Sequence, residues 1–165
     1  MSATASTSKI AIVTGANQGI GYGIARRLAT LYPSSHFGST SEPLTVYFTA
    51  RNVERGQASF SELSNELSST GSKILAKDGG LTTLKFHQLD IDDPKSRSTL
   101  KNTIQQEEGG LDLLINNAGI ALDGFNADVV KKTLHTNYYS TKDLTEELLP
   151  LLKKGGRVVV RIKRR

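Results

Sequence analysis

The feature that most constrains the fold is a glycine-rich turn that joins a short apolar run to a stretch with helical periodicity. The apolar run covers 9–14 (KIAIVT), and its length and β-branched residues are typical of a buried strand. The helical pattern that follows stops before Pro33. Its apolar residues are Ile20, Ile24, Leu28 and Leu31. The chain therefore predicts a strand that leads through a glycine turn into a helix.

The turn itself reads TGANQGIG over 14–21. Gly15 can take the sharp exit from the strand, Gly19 lets the backbone approach a pyrophosphate, and Gly21 lets the helix pack closely. The helix N-terminus offers N–H groups and a positive dipole end to phosphates. The spacing is G-x-x-x-G-x-G, and a plain glycine-rich turn without a ligand is the alternative. The candidate nucleotide-binding residues here are Gly15, Asn17, Gln18, Gly19, Ile20 and Gly21.

Strand and helix patterns alternate along the rest of the chain. Strands are predicted at 9–14, 44–50, 83–89, 111–115 and 156–162. Helices are predicted at 20–31, at 53 to about 69, from Pro94 behind an Asp93 cap, and at about 126 to 152. Polar loops occupy 34–43 and 70–80. This order predicts an α/β fold, a doubly wound parallel sheet of the Rossmann type with strand order 3-2-1-4-5.

Composition excludes several other classes. The chain has no cysteine, which excludes disulfides and thiol catalysis, and no apolar run near the ~18 residues of a membrane span. Of its 21 Lys and Arg, seven lie at 153–165, where there are no acids, so 1–152 carry 14 basic and 16 acidic residues, a net charge of −2. We therefore predict no nucleic-acid partner and no membrane partner. The histidines show no ligand spacing, so no metal site is predicted.

One domain is predicted over 9–160, after a disordered Ser/Thr/Ala-rich segment at 1–8 and before a basic tail at 161–165. The first segment lacks the features of a secretory or transit signal, which predicts a cytoplasmic protein. The tail is interpreted as an incidental end, and a basic targeting patch is the alternative.

Several motifs, in this order, resemble the short-chain dehydrogenase/reductase family. T-G-x-x-x-G-I-G follows the first strand, and NNAG at 116–119 follows the fourth. Within the family, the chain is most similar to the NADPH-dependent carbonyl reductases. The stretches that carry this are 49–51 (TAR), 55–57 (RGQ), 86–93 (FHQLDIDD), 110–112 (GLD), 136–139 (TNYY), 147–151 (ELLPL) and 156–159 (GRVV). The resemblance implies hydride transfer from NADPH to a small-molecule ketone or aldehyde.

Two arginines after the second strand bear on the choice of cofactor. Arg51 ends that strand, and Arg55 follows one helical turn later. An acidic residue there would favour NAD, whereas guanidinium groups pair with the 2′-phosphate of NADP. NADP(H) is therefore the predicted cofactor, with two solvated arginines as the alternative.

The resemblance implies further cofactor contacts along the same edge of the sheet. Asp90 and Ile91 would border the adenine, and Asn117, Ala118 and Gly119 would lie along the ribose. Asn116 and Asn117 can also be explained as ties between neighbouring strand ends, and both roles can hold at once.

The resemblance also implies four catalytic residues, an Asn, a Ser and a Tyr-x-x-x-Lys pair, which polarise and protonate the carbonyl. Asn137 matches the Asn. Relatives read like GRVVNVSS at the fifth strand, but here the match is lost near Val160, and no Ser or Tyr/Lys pair follows. Tyr138 and Lys142 have the Tyr-x-x-x-Lys spacing but precede the fifth strand. We interpret Tyr138 as a core or helix-face residue and Lys142 as a solvated one.

Two hypotheses remain open. In the first, the chain is a C-terminally truncated carbonyl reductase with little or no turnover; its sheet is incomplete, so the fifth strand becomes an edge with exposed apolar surface. In the second, it is a non-catalytic NADP(H)-binding or interaction protein, such as a short isoform. The carbonyl substrate and the oligomeric state are left open.

Overall fold

A computed structural model describes residues 8–31 and 42–162 of the chain. Its five strands form one parallel sheet in the order β3-β2-β1-β4-β5. The strands are β1 Lys9–Val13, β2 Leu44–Ala50, β3 Thr82–Gln88, β4 Leu111–Asn116 and β5 Leu152–Val160. The predicted α/β class and strand order are confirmed. The predictions for 1–7, for the loop residues 34–41 and for 163–165 lie outside the described residues.

Three of the five described helices begin directly after a residue whose side chain caps them. The helices are α1 Gly19–Leu31, α2 Val53–Ser69, α3 Pro94–Thr103, α4 Ala127–Leu134 and α5 Thr141–Leu148. Asp93 caps α3 as predicted, because its carboxylate accepts from the N–H groups of Lys95 and Ser96 at 3.0 and 3.2 Å. Asn126 caps α4 in the same way, accepting from the N–H of Val129 at 2.9 Å.

The single helix predicted over about 126–152 is wrong in two respects. A π-helical turn, His135–Ser140, lies between α4 and α5. Pro150 then falls in a 3₁₀ turn, Leu149–Leu151, and β5 already begins at Leu152 rather than at the predicted position 156. Because proline cannot donate an i→i−4 hydrogen bond, α5 does not continue through it.

Two hydrophobic cores cover the two faces of the sheet, which makes the fold doubly wound. One core packs residues of α1 and α2 on the sheet, and it includes Ala25, Ala29, Val46, Phe48, Leu63 and Leu67. The other packs residues of α3 and α5, and it includes Ile10, Ile12, Leu100, Leu114, Leu144 and Leu148. Burial of these side chains is the main favourable contribution to the fold.

The face that α1 buries differs from the predicted apolar stripe. Its buried residues are Gly21, Ala25 and Ala29, whereas Ile20 is 54% exposed and Leu31 is 50% exposed. A helix that presents small residues can approach its neighbours closely, so the large apolar residues of α1 lie at the border of the contact or in solvent.

β5 forms one edge of the sheet, as predicted, and pairs with β4 alone among the strands of 8–31 and 42–162. Its pairing is irregular: Leu111 lies opposite Leu152, but Leu113 already lies opposite Arg157. Val159 and Val160 of β5 are 46% and 55% exposed. The edge strand therefore presents apolar side chains to solvent.

Candidate functional site

A cleft of about 280 Å³ opens where the strands end at their carboxyl side. In open parallel sheets this edge, at the point where the strand order reverses, is where ligands bind. Here the reversal lies between β1 and β4. Twelve of the predicted cofactor residues line the cleft: Gly15, Asn17, Gln18, Gly19, Ile20, Gly21, Arg51, Asp90, Ile91, Asn117, Ala118 and Gly119. Residues that the sequence reasoning missed also line it, namely Leu89, Asp92, Ile120, Thr136 and Arg161.

The glycine turn between β1 and α1 requires glycine at three positions for two reasons. Gly15 and Gly19 have φ angles of 62° and 57°, which side-chain-bearing residues rarely adopt. Gly21 has no such φ, but a Cβ there would overlap the Gly15 carbonyl oxygen and the Asn117 amide nitrogen. The first turn of α1 is thus held directly against the end of β4.

Thr14 joins the glycine turn to the segment after β4, and sequence reasoning assigned it no role. Its buried hydroxyl accepts from the N–H groups of Asn117 and Ala118, both at 2.9 Å. The side-chain amide of Asn117 returns two hydrogen bonds, to the carbonyl oxygens of Thr14 at 2.9 Å and Gly15 at 3.0 Å. Asn116 makes a separate tie, donating to the Thr145 hydroxyl at 2.9 Å. Asn117 therefore forms the predicted tie between neighbouring strand ends, whereas Asn116 ties β4 to the helix α5.

The two predicted arginines occupy different environments. Arg51 follows β2 directly and lines the cleft, and its carbonyl oxygen accepts from the Gln88 side chain at 3.2 Å. Arg55 lies in the first turn of α2 and does not line the cleft. The backbone N–H of Arg55 donates to the capping side chain of Asn52 at 2.8 Å. Arg51 alone of the pair is thus brought together with the glycine turn.

Beyond β3, a short acidic segment forms another wall of the cleft. The N–H of Asp90 donates to the Ser96 hydroxyl at 2.9 Å, and its carboxylate accepts from the N–H of Asp92 at 3.0 Å. Asp92 Oδ2 accepts from the Thr136 hydroxyl at 2.8 Å, whereas Asp92 Oδ1 is buried without a hydrogen-bond partner among the described residues. Ile91, which is 6% exposed, supplies apolar surface between the two carboxylates.

Asn137 lies on the π-helical turn and lines an adjoining cavity of about 130 Å³. Its side chain makes two hydrogen bonds to the backbone of Ile120, accepting from the N–H and donating to the carbonyl oxygen, both at 2.8 Å. A Cβ on Gly119 would lie 2.9 Å from Asn137 Oδ1, so this approach needs glycine. π-Helical turns are frequent at functional sites, where they aim a side chain away from the regular helix position.

Tyr138 and Lys142, which mimic the Tyr-x-x-x-Lys spacing, line neither cavity. Tyr138 is 55% exposed and packs edge-to-face on Tyr139 with ring centroids 5.1 Å apart. Lys142 Nζ donates to Glu146 at 2.8 Å, and this hydrogen bond raises the pKa of Lys142. Both side chains thus lie on the helix surface, and Tyr138 is not a core residue.

Arg161 belongs to the cleft, although the sequence reasoning assigned it to the basic tail. Its backbone N–H donates to the Asn116 carbonyl oxygen at 2.9 Å, which continues the contact between β5 and β4. Its Nη1 donates to Asn117 Oδ1 at 3.3 Å. The run of basic residues from 161 to 165 concealed this position in the sequence.

Neither a candidate metal site nor a membrane-spanning helix is present within 8–31 and 42–162. No group of His, Asp and Glu side chains there is arranged to hold a metal ion. No helix in the same part of the chain combines the length and the apolar character needed to cross a membrane.

The chain is similar in sequence to proteins named as carbonyl reductases. NADPH carbonyl reductase 3 of Homo sapiens is 40% identical over 158 residues, which are 93% of this chain and 48% of that protein. NADPH carbonyl reductase 1 of Homo sapiens is 41% identical over 157 residues, which are 91% of this chain and 47% of that protein. The chain therefore spans about half the length of these relatives.

The fold is also similar to solved structures of a reductase and a short chain dehydrogenase. Menthone neomenthol reductase from Mentha piperita superposes with a TM-score of 0.68 at 28% identity, covering 93% of this chain and 60% of that one. A short chain dehydrogenase from Burkholderia cenocepacia, solved in complex with NADP, has a TM-score of 0.61 at 26% identity over 94% of this chain and 55% of that one.

The sequence profile described as short chain dehydrogenase matches residues 9–162, which includes every described strand and helix. The sheet order, the glycine turn before α1 and the NNAG segment after β4 all lie within the matched region. The chain belongs to the short-chain dehydrogenase family.

Proposed function

We propose that the chain binds NADP(H) in the cleft at the carboxyl edge of the sheet, as part of a single domain over 9–160 extended by Arg161. The observation that carries the proposal is that Arg51 and the N-terminus of α1 open into the same cleft. The first N–H groups of a helix have no intrahelical partner, so α1 offers donors and a positive dipole end to a pyrophosphate. The Arg51 guanidinium offers a planar fork of donors to a 2′-phosphate.

The other walls suit the remaining parts of a dinucleotide. Asp90 and Ile91 border the space beside Arg51, where the adenine would lie. Asn117, Ala118 and Gly119 extend from the glycine turn toward Asn137, where the second ribose and the nicotinamide would lie. The relatives named as NADPH carbonyl reductases and the solved complex with NADP support NADP(H) over other nucleotides.

A titration of the purified chain with NADPH and NADH, followed by nucleotide fluorescence, tests this proposal. Saturable binding that prefers NADPH is expected. Arg51→Ala should weaken NADPH binding by about 10- to 100-fold, as expected for losing a charge-assisted hydrogen bond of about 1.5–3 kcal/mol, and should leave NADH binding unchanged. Arg55→Ala should have a smaller effect, because Arg55 lies outside the cleft.

Arg27→Ala is the matched control, since Arg27 is exposed on α1 and does not line the cleft. Equal loss of NADPH affinity in all three variants would show a general charge effect and contradict the assignment of Arg51. A folded wild-type chain that binds neither nucleotide would refute the proposal itself.

We further propose that the activity associated with this site is carbonyl reduction of a small molecule. Bound NADPH would supply the hydride. Asn137 would act mainly by holding the loop at Ile120, because both polar atoms of its side chain already contact that backbone. Within these 165 residues no Ser and no Tyr-x-x-x-Lys pair follows β5, so we expect little or no turnover from this polypeptide by itself.

NADPH oxidation with a set of small ketones and aldehydes, measured on a sample that binds NADPH, tests this expectation. The rate should not exceed the background rate. Fusing the serine-bearing strand and Tyr-x-x-x-Lys helix of a relative behind β5 should then produce turnover. A second candidate, a nucleotide-binding protein without turnover, is favoured by the twelve predicted cofactor residues that line the cleft, and it predicts that the fusion produces no turnover.

A further inference from the structure

Arg161 provides a second guanidinium in the cleft, at the opposite end from Arg51. Along the carboxyl edge of the sheet, Arg51 follows β2, the glycine turn follows β1, Asn117 follows β4 and Arg161 follows β5. Neighbouring strands lie about 4.8 Å apart, so the three intervals from β2 to β5 separate the two arginine backbones by about 14 Å. A ligand that spans the cleft would therefore meet one arginine at each end.

The position of Arg161 is set by a chain of hydrogen bonds that leads back to the glycine turn. Its N–H donates to the Asn116 carbonyl oxygen at 2.9 Å, and its Nη1 donates to Asn117 Oδ1 at 3.3 Å. The Asn117 amide is in turn held by the Thr14 and Gly15 carbonyl oxygens. The guanidinium therefore lies along the wall of the cleft, with one nitrogen hydrogen-bonded to Asn117.

Two acidic residues also line the cleft, and Asp92 accepts a hydrogen bond from Thr136 instead of pairing with Arg161. Asp90 and Asp92 follow β3, which is the strand most distant from β5 in the sheet order. None of the ion pairs formed within the described part of the chain includes Arg161. The guanidinium therefore places a positive charge at this end of the cleft.

We infer that Arg161 makes the cleft discriminate the redox state of its nucleotide, disfavouring the oxidised form. This inference rests on the proposed NADP(H) binding. With the 2′-phosphate at Arg51 and the pyrophosphate on the turn after β1, the nicotinamide lies at the β4–β5 end, beside Arg161. The oxidised nicotinamide ring carries a positive charge and the reduced ring carries none, so only the oxidised ring is repelled by the guanidinium.

The expected size of the effect is about tenfold tighter binding of NADPH than of NADP⁺ at low salt, which corresponds to about 1.4 kcal/mol. Arg161 is partly exposed, so the ratio should decrease as the ionic strength rises. A difference caused by shape alone would not depend on salt in this way.

The test compares three ligands on the full 165-residue chain by calorimetry: NADPH, NADP⁺, and 2′-phospho-ADP-ribose, which lacks the nicotinamide. Arg161→Gln should reduce the NADPH/NADP⁺ affinity ratio by about tenfold, chiefly by tightening NADP⁺, and should leave 2′-phospho-ADP-ribose unchanged. Arg161→Lys keeps the charge and should keep most of the ratio. Arg157→Gln removes the same charge from an exposed position within β5 and should keep the wild-type ratio.

Two results would overturn the inference while leaving the proposed function intact. One is an unchanged ratio in Arg161→Gln. The other is an equal loss of affinity for all three ligands, which would make Arg161 a phosphate contact. Failure of the wild-type chain to bind 2′-phospho-ADP-ribose would instead refute the proposed function, and the inference with it.

Discussion

Gly21→Ala and Gly23→Ala add the same methyl group to the same helix, two residues apart, and we expect opposite effects on stability. A Cβ on Gly21 would overlap the Gly15 carbonyl oxygen and the Asn117 amide, and it would lie 3.0 Å from the Gly15 carbonyl carbon. A Cβ on Gly23 would meet no atom within 4 Å. Neither glycine has a positive φ, so the backbone conformation itself tolerates alanine at both positions.

The magnitudes follow from these surroundings. Alanine is more favourable than glycine within a helix by about 1 kcal/mol, which is the whole effect expected at Gly23. At Gly21 the same gain is opposed by about 1–3 kcal/mol of overpacking and by about 1 kcal/mol for the displaced hydrogen bond from Asn117 to Gly15. Gly21→Ala should therefore lower the free energy of unfolding by about 1–3 kcal/mol.

Thermal unfolding followed by circular dichroism measures the difference. Since 1 kcal/mol shifts the Tm of a domain of this size by about 2–4 °C, Gly21→Ala should lower Tm by roughly 2–12 °C and Gly23→Ala should raise it by about 2–4 °C. NADPH affinity should fall only in Gly21→Ala, because only that methyl group displaces the turn that lines the cleft. Equal Tm values for the two variants would refute the close approach of α1 to the end of β4.

Three further predictions concern stability. Glu108→Gln should lower the free energy of unfolding in urea by about 1.5–3 kcal/mol, because the buried Glu108 accepts a hydrogen bond from Lys85 at 2.7 Å. Glu107→Gln should lower it by less than about 1 kcal/mol, because that carboxylate is more exposed. The hydrogen bond from Lys85 lowers the pKa of Glu107. The stability that this hydrogen bond contributes is therefore present above pH 4.5 and is lost as the pH falls. Wild type should lose more stability than Glu107→Gln between about pH 6 and about pH 3. Thr14→Val should cost about 1–3 kcal/mol and weaken NADPH binding, because it removes the acceptor of the Ala118 N–H, whereas Thr14→Ser keeps that acceptor and should keep the affinity. Equal NADPH affinities in the two Thr14 variants, or parallel acid unfolding of Glu107→Gln and wild type, would contradict these assignments.

The local signals in the sequence predicted well where the chemistry is local. A capping residue acts within one turn of its own helix, so Asp93 is predicted correctly, and the sharp exit predicted at Gly15 agrees with its φ of 62°. The alternation of strands and helices predicts a parallel sheet, because parallel neighbours need crossover connections, and the Rossmann type of fold supplies the strand order. The position of Arg51 directly after the second strand predicts its place in the cleft, whereas Asp90 and Ile91 are predicted by the family resemblance.

The errors arose where distant parts of the chain meet. Periodicity cannot show which face a helix buries, and α1 buries the small side chains at Gly21, Ala25 and Ala29 instead of its large apolar ones. It also cannot show a π-helical turn, which shifts Asn137 toward Ile120 without leaving a mark in the apolar pattern. Tyr138 and Lys142 have the spacing of the Tyr-x-x-x-Lys motif, but spacing alone does not show whether that face of the helix lines a cleft or is exposed to solvent.

The sequence by itself determined the family, the class of fold and the residues of the glycine turn, because these depend on short stretches whose chemistry acts on near neighbours. The tertiary structure alone decided that Arg51 and not Arg55 faces the cleft, that the Thr14 hydroxyl joins two loops more than 100 residues apart, and that Arg161 lies beside Asn117. Each of these depends on which strand ends the sheet places side by side. Pairing of strands brings together residues that are remote in the chain, and no local sequence pattern shows which remote residues will be in contact.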